Sequence, residues 1–340
     1  MMQDLKMEKN VNVCVTGGAG YLASFLVKQL LERGYVVHAT LRSLGDASKV
    51  GLLTGLPHAD TRLKLFEADI YNPDEFAPAV DGCEIVVHMA TPLQHYTNSS
   101  QYKNTSEAAV AGAKIIMESC TKSNTVKKVI YTASVVASSP LKEDGSGYKD
   151  FMDETCWTPL NLSYDQMLSD YVHSKTLAEK EVLSYDGKNG VEVVSLACGL
   201  VGGDTIQSSV SESMGALISQ GTNDGSRYKI LRFLEELLGK VPIVHTRDVI
   251  EAHIFSMENS NVHGRFLCAS DFLKSAEIAS LIRKNRPNIS IHQEFIEDTE
   301  RETRWGSRKL EDLGFCYKFD SQKIIDDCLL CAQRLGDIIL

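Results

Sequence analysis

The chain has 340 residues, of which 43% are hydrophobic and 24% charged, with a formal net charge of −10. These are ordinary globular values, and the length suits one large α/β domain carrying a smaller lobe. The acidic balance argues against nucleic acid or an anionic membrane as partner, and no apolar run approaches the roughly 20 residues needed to span a bilayer.

The opening MMQDLKMEKN is polar and lacks the apolar core of a secretory signal. Nine cysteines, several of them inside apolar runs, read as small core residues of a protein in a reducing compartment. The pair Cys328 and Cys331 in DDCLLCAQ lies on an amphipathic helical pattern and reads as structural. With no second cysteine or histidine pair nearby, no metal site is expected.

In chain order, NVCVTG, VVHATLR, RLKLFEAD, EIVVHMA, KKVIYTAS and VEVVSLACG read as strands. Between them, YLASFLVKQLLERG, NPDEFAPAV, SEAAVAGAKIIMESCTK and the segment around SDYVHSKTLAEK read as helices. Val/Ile-rich strands alternating with helices predict an α/β fold with a doubly wound parallel sheet buried on both faces. Residues 1–203 are expected to form the nucleotide-binding domain, and 204–340 mainly a smaller, mixed C-terminal substrate lobe. VPIVHTRDVIEAHIF is expected to rejoin the main sheet at about 241–260.

VCVTGGAGYLASFL ends the first strand at Thr16, turns through Gly17, Gly18 and Gly20, and enters a helix at Tyr21 and Leu22. A tight turn without side chains, followed by a helix N-terminus, is the physical requirement for holding a pyrophosphate. Ala23 replaces the third glycine, where a small residue still lets helix pack on strand. The pattern predicts a dinucleotide-binding Rossmann domain.

The second strand ends at Thr40 without the carboxylate that an NAD ribose would need, and Arg42 and Lys49 follow. Both can meet a 2′-phosphate, so NADP (NADPH) is the expected cofactor. Asp69 and Ile70 after the third strand are candidates for the adenine amino group and ring. Met89, Ala90 and Thr91 after the fourth let the cofactor pass close.

VIYTASVVASS carries Thr132 and Ser134 at its carboxyl end, and Tyr171 and Lys175 stand one helical turn apart. A phenol of pKa near 10 is a poor acid–base group at neutrality, but an adjacent ammonium favours its ionised form. Ser134, Tyr171 and Lys175 are therefore the candidate catalytic set. Tyr171 would exchange a proton with a carbonyl or alcohol oxygen, Ser134 would hydrogen-bond that oxygen, and Lys175 would also hold the nicotinamide ribose.

Thr16-Gly17-x-x-Gly20-x-x-Ala23, Ser134 and Tyr171-x-x-x-Lys175 resemble the extended short-chain dehydrogenase/reductase family. HMATP, YVHSKTLAEK and DLGFCYKF are similar to its plant dihydroflavonol 4-reductase and anthocyanidin reductase group. The resemblance implies a cytoplasmic, NADPH-dependent reductase of an electrophilic centre, most simply a carbonyl, in a flavonoid-like, other aromatic or alkaloid metabolite. By position it implies that Cys198, Gly199, Leu200, Val201 and Ser213 close over the nicotinamide side. Leu93, Ser139 and Met214 are the implied substrate contacts. Tyr96, Tyr164, Met167 and Phe233 could also wall an aromatic pocket.

The chain departs from that group at Cys198, where proline is usual, and at Ser139, where dihydroflavonol reductases present Asn. The stretch 221–242 is also longer than its counterpart. The thioester-reductase signature Asn-Trp-Tyr-Cys-Tyr is absent from SDYVHSK. Rival readings are an alcohol dehydrogenase of the same family working oxidatively on an alkaloid-type hemiacetal or alcohol, a nucleotide-sugar epimerase with tightly held NAD, and a non-catalytic NADP sensor. His88 and His245 read as structural, as does Asp248, whose expected partners are the amides of its own helix's first turn.

Overall fold

The computed structural model describes residues 9, 11–91, 102–162, 166–296 and 303–338, with the side chains of 73 and 166–168 left out. Leu93, Tyr96 and Tyr164 and the side chain of Met167 lie outside that description.

The chain opens with β1 (Asn12–Thr16), α1 (Tyr21–Glu32), β2 (Val36–Leu41), the short helices α2 (Ala47–Thr54) and α3 (Ala59–Arg62), and β3 (Leu63–Glu67). It continues through α4 (Ala77–Val80), β4 (Ile85–His88), α5 (Thr105–Lys122), β5 (Lys128–Ser134), β6 (Phe151–Met152), α6 (Gln166–Leu183) and β7 (Glu192–Cys198). Beyond these come β8 (Leu200–Gly202), α7 (Glu212–Thr222), α8 (Gly225–Leu238), β9 (Val241–His245), α9 (Thr246–Glu258), β10 (Gly264–Cys268) and β11 (Asp271–Leu273). The last elements are α10 (Ser275–Asn285), β12 (Arg304–Trp305), α11 (Lys309–Asp312) and α12 (Ser321–Leu335).

All six strands read from the apolar runs are present, and they enter one seven-stranded sheet of order β10-β7-β5-β4-β1-β2-β3. β1 pairs in parallel with both β2 and β4, and β4 with β5. The chain therefore winds outward from β1 in both directions, and the switch point falls between β1 and β4, at Thr16 and His88. Open α/β sheets bind ligands at the carboxyl ends of strands around such a point. Val13, Cys14 and Val15 of β1 and Val86 and Val87 of β4 have no exposed surface, as expected for strands covered on both faces.

One expectation is corrected. β9, from VPIVH, does not rejoin the main sheet; it lies in a separate three-stranded sheet, parallel to β8 and antiparallel to β11. Its apolar pattern suits either sheet, and the pairing of Ile243 with Leu200 and Asp271 decides. The strand that completes the seven-stranded sheet is β10 instead.

The chain divides into two compact units interleaved in sequence. The first comprises Met1–Thr132, His173–Ser195 and Ser256–Gly264; the second comprises Ala133–Val172, Leu196–Phe255 and Arg265–Leu340. In the first, α5 comes close to Ile70 at Gly112, where a Cβ would lie 1.9 Å from Ile70 Cγ1. In the second, Cys328 of α12 accepts the Gly203 amide at 2.9 Å, giving one thiol of the Cys-x-x-Cys pair a structural bond. Among the described residues no helix is long and apolar enough to cross a membrane.

Candidate active site

In the first unit, β1 ends in the glycine turn. Gly17 adopts φ +67°, and a Cβ there would lie 3.3 Å from Ala90 Cα, so the position favours glycine both conformationally and sterically. The turn is tied to the end of β2: Gly17 N donates to Thr40 Oγ1 at 3.0 Å and Gly18 N to the Thr40 carbonyl at 2.8 Å. Gly20 then begins α1 without a capping side chain, and the first helical turn carries no carboxylate. An N-terminus so arranged leaves backbone N–H dipoles directed at an anion, which fits a dinucleotide diphosphate.

Thr16 is fully buried, and its hydroxyl serves the sheet. Its oxygen accepts the amides of Met89 and Ala90, each at 3.0 Å, and lies 2.9 Å from His88 Nδ1. With both lone pairs engaged, the hydroxyl donates its proton to Nδ1, which places the imidazole hydrogen on Nε2. Burial holds the His88 pKa down at about 3, so the ring is neutral.

Arg42 and Lys49 are exposed, and Lys49 Nζ sits 3.0 Å from Asp46 Oδ2. Asp46 also caps α2 by accepting the Lys49 amide, and these bonds hold its carboxyl below the usual range. Asp69 Oδ1 accepts the Tyr71 amide at 3.1 Å, while Ile70 is buried against α5. Lys175 is buried to 6% exposure; its ammonium donates to Thr91 Oγ1 at 3.0 Å and to the Thr132 carbonyl at 3.2 Å. It also stands 5.4 Å from the centre of the Tyr131 ring.

In the second unit, the Ser134 hydroxyl hydrogen-bonds the Tyr171 phenol and accepts the Val136 amide at 3.4 Å. The expected lowering of the Tyr171 pKa by an ammonium is not what the protein alone gives. Burial pushes the phenol up, the Ser134 bond partly offsets this, and the nearby Cys198 thiol adds to the rise. Thr132 and Ser134 lie two residues apart on β5, and Tyr171 and Lys175 four apart on α6. One strand and one helix therefore carry the whole candidate set.

Cys198 is 4% exposed at the end of β7, and a Cβ on Gly199 would lie 2.7 Å from the Pro242 carbonyl oxygen. Leu200 and Val201 are buried on β8. Ser213 lies in the first turn of α7, its hydroxyl 3.2 Å from that of Ser211, and Met214 beside it has no exposed surface. Ser139 is also fully buried: its hydroxyl donates to the Leu237 carbonyl of α8 and accepts the Leu141 amide.

The Asp248 expectation changes in detail. The residue is structural, but its carboxylate accepts the amides of Lys318 and Phe319 rather than those of its own helix. His245 accepts the Arg247 amide, donates to Asp327 and stacks on Phe319 at 3.9 Å. Two residues that sequence reasoning missed, Thr158 and Arg265, bond the segment directly after Ser134. No local pattern marks either.

Comparison with known proteins identifies the family. The model of the NAD dependent epimerase/dehydratase family matches residues 13–269. A Ginkgo biloba protein named as a candidate anthocyanidin reductase is 34% identical over 332 residues, covering 96% of each chain. A dihydroflavonol 4-reductase of Callistephus chinensis is 32% identical, covering 95% of this chain and 88% of its own. The crystal structure of vestitone reductase from alfalfa (Medicago sativa) superposes with a TM-score of 0.79 at 32% identity, covering 96% of this chain and 99% of that one. The chain belongs to the NAD dependent epimerase/dehydratase family, in its extended short-chain dehydrogenase/reductase branch with the dihydroflavonol 4-reductase and anthocyanidin reductase group, and is an oxidoreductase.

Proposed function

We propose that the protein is an NADPH-dependent reductase of a carbonyl in a medium-sized aromatic secondary metabolite, with Tyr171 as proton donor. The observation that carries the reading is the Ser134–Tyr171 hydrogen bond, with Lys175 one turn farther along the same helix. The glycine turn at Gly17 and the uncapped start of α1 suit the diphosphate. Arg42 and Lys49 suit a 2′-phosphate, and no carboxylate ends β2 to favour NAD.

Bound NADPH would supply the hydride. Tyr171 would give its proton to the carbonyl oxygen, and Ser134 would hydrogen-bond that oxygen as negative charge develops on it. The upward push on the Tyr171 pKa suits this direction, since reduction consumes the protonated phenol. Lys175, held by Thr91 and the Thr132 carbonyl, would bring its ammonium to the nicotinamide ribose. The names of the anthocyanidin reductase, dihydroflavonol 4-reductase and vestitone reductase relatives support a flavonoid-type substrate, and a noscapine synthase of Papaver somniferum at 34% identity keeps an alkaloid in the panel.

The test is NADPH oxidation followed by absorbance over a panel of flavonoid, phenylpropanoid and alkaloid carbonyls, with Tyr171→Phe and Arg42→Ala alongside. Tyr171→Phe is expected to lower kcat by about 10²- to 10⁴-fold with NADPH affinity kept. Arg42→Ala is expected to raise the NADPH KM about tenfold or more while leaving NADH unaffected. Unchanged turnover in Tyr171→Phe would remove the mechanism.

A further inference from the structure

The four residues after Val135 are gripped by two side chains remote in sequence, all within the second unit. Thr158, 2% exposed, donates its hydroxyl to the Val136 carbonyl at 2.5 Å and accepts the Ser139 amide at 2.9 Å. Its own amide donates to the Ala137 carbonyl at 3.1 Å. Arg265 of β10, 7% exposed, sends Nη2 to the same Ala137 carbonyl at 3.1 Å and to Ser138 Oγ at 2.7 Å. Its Nη1 reaches the carbonyls of Glu154, at 2.9 Å, and Cys156, and its guanidinium lies 3.7 Å from the centre of the Trp157 ring.

Holding a guanidinium in a protein interior is costly, and an apolar side chain of similar volume often stabilises as well or better. What the planar fork adds is geometry: it binds two segments, the Ala137 carbonyl with the Ser138 hydroxyl and the carbonyls of Glu154 and Cys156, at a fixed separation. The fixed stretch begins one residue after Val135 and includes Val136, whose amide donates to the same Ser134 hydroxyl that bonds the Tyr171 phenol. We infer that Thr158 and Arg265 are positioning residues that set the Ser134 hydroxyl against Tyr171. The inference rests on the proposed role of Ser134 and Tyr171.

The test uses the full chain with Thr158→Val, Thr158→Ser, Arg265→Lys and Ser134→Ala. Thr158→Val keeps the shape and deletes two hydrogen bonds. It is expected to lower kcat about 10- to 100-fold, as a misplacement of about 1 Å would, with the NADPH KM within about twofold. Because the Ser134 bond restrains the phenol pKa, loosening it should also move the alkaline fall of the kcat–pH profile to higher pH. Thr158→Ser restores both readouts, and Arg265→Lys, which cannot span two segments, behaves like Thr158→Val.

Thr158→Val with wild-type kcat and pH profile overturns the inference, as does Thr158→Ser falling as far as Thr158→Val. Should Arg265→Lys fail to fold, the Thr158 pair still decides. Ser134→Ala separates the two levels: wild-type turnover there refutes the proposed site itself. Lost turnover in Ser134→Ala with intact Thr158→Val refutes only the positioning role.

Discussion

Thr16 Oγ1 lies 2.9 Å from His88 Nδ1, at the point where β1 and β4 begin the two halves of the sheet. One hydroxyl there satisfies two backbone amides and an imidazole, and so locks the turn after β4 to the turn after β1. Thr16→Val keeps the volume and leaves all three partners unsatisfied inside the protein. It is expected to cost about 2–4 kcal/mol in urea unfolding and to weaken NADPH binding, while Thr16→Ser stays within about 1 kcal/mol. An unchanged denaturation midpoint for Thr16→Val would show that the turn is held by other means.

Gly112→Ala tests the close approach of α5 to Ile70. In a helix interior this exchange ordinarily stabilises by up to about 1 kcal/mol, since alanine is the better helix former. Here the added methyl would meet Ile70 Cγ1 at 1.9 Å, an overlap that neither group can absorb in place. A net loss of about 1–3 kcal/mol is expected. Shortening Ile70 to alanine should recover part of it, so the double variant in a thermodynamic cycle gives a coupling of opposite sign to the single cost. Additive effects would mean that the two residues do not meet.

Much of this was legible in the sequence because it depends on local pattern. Five strands announced themselves as Val/Ile runs and β3 as the alternating LKLFE, and the glycine turn needs particular backbone conformations that Gly17 supplies. β10 was not legible, since GRFLC is short and carries Arg265 at its second position. Nor was the sheet that β9 joins, because an apolar strand does not name its partner. The direction of the Tyr171 shift follows from burial, which only the folded chain supplies. So do the grips of Thr158 and Arg265 on the Ser134 segment and the capture of the Ser139 hydroxyl by α8. Local chemistry was readable; the neighbours that folding supplies were not.

Lys175→Met tests the ammonium on α6. Its bonds to Thr91 and Thr132 join the segment that follows β4 to the carboxyl end of β5, and its removal leaves Thr91 Oγ1 and the Thr132 carbonyl without that donor. The expected outcome is a kcat lower by about 10²-fold or more together with weaker NADPH binding, measured by fluorescence titration. Lys175→Arg should not restore either, because a planar fork does not replace a compact ammonium in a buried niche. Retained turnover in Lys175→Met would assign the residue to packing alone.

Acid should unfold this protein earlier than its carboxylates require. Burial holds His88 at about 3 and His245 and His253 at about 4, and none of the three is more than 1% exposed. In the unfolded chain each takes a proton as the pH falls through about 6.5, while the folded protein excludes it until about 3 to 4. Between those limits the unfolded state binds more protons, so stability rises with pH, and above about 6.5 these groups leave it flat. Each contributes a slope of up to about 1.4 kcal/mol per pH unit, and the three together about 4. From pH 6.5 to 5 ordinary carboxylates stay ionised, and His38, which burial also lowers, is a fourth imidazole adding to the slope. His253 serves as the probe, since it lies inside α9, has no exposed surface, and its ring bonds the Val249 carbonyl. Urea unfolding of His253→Gln across that window should show about a quarter less slope than the wild type, and an equal slope would exclude a neutral buried imidazole at that position.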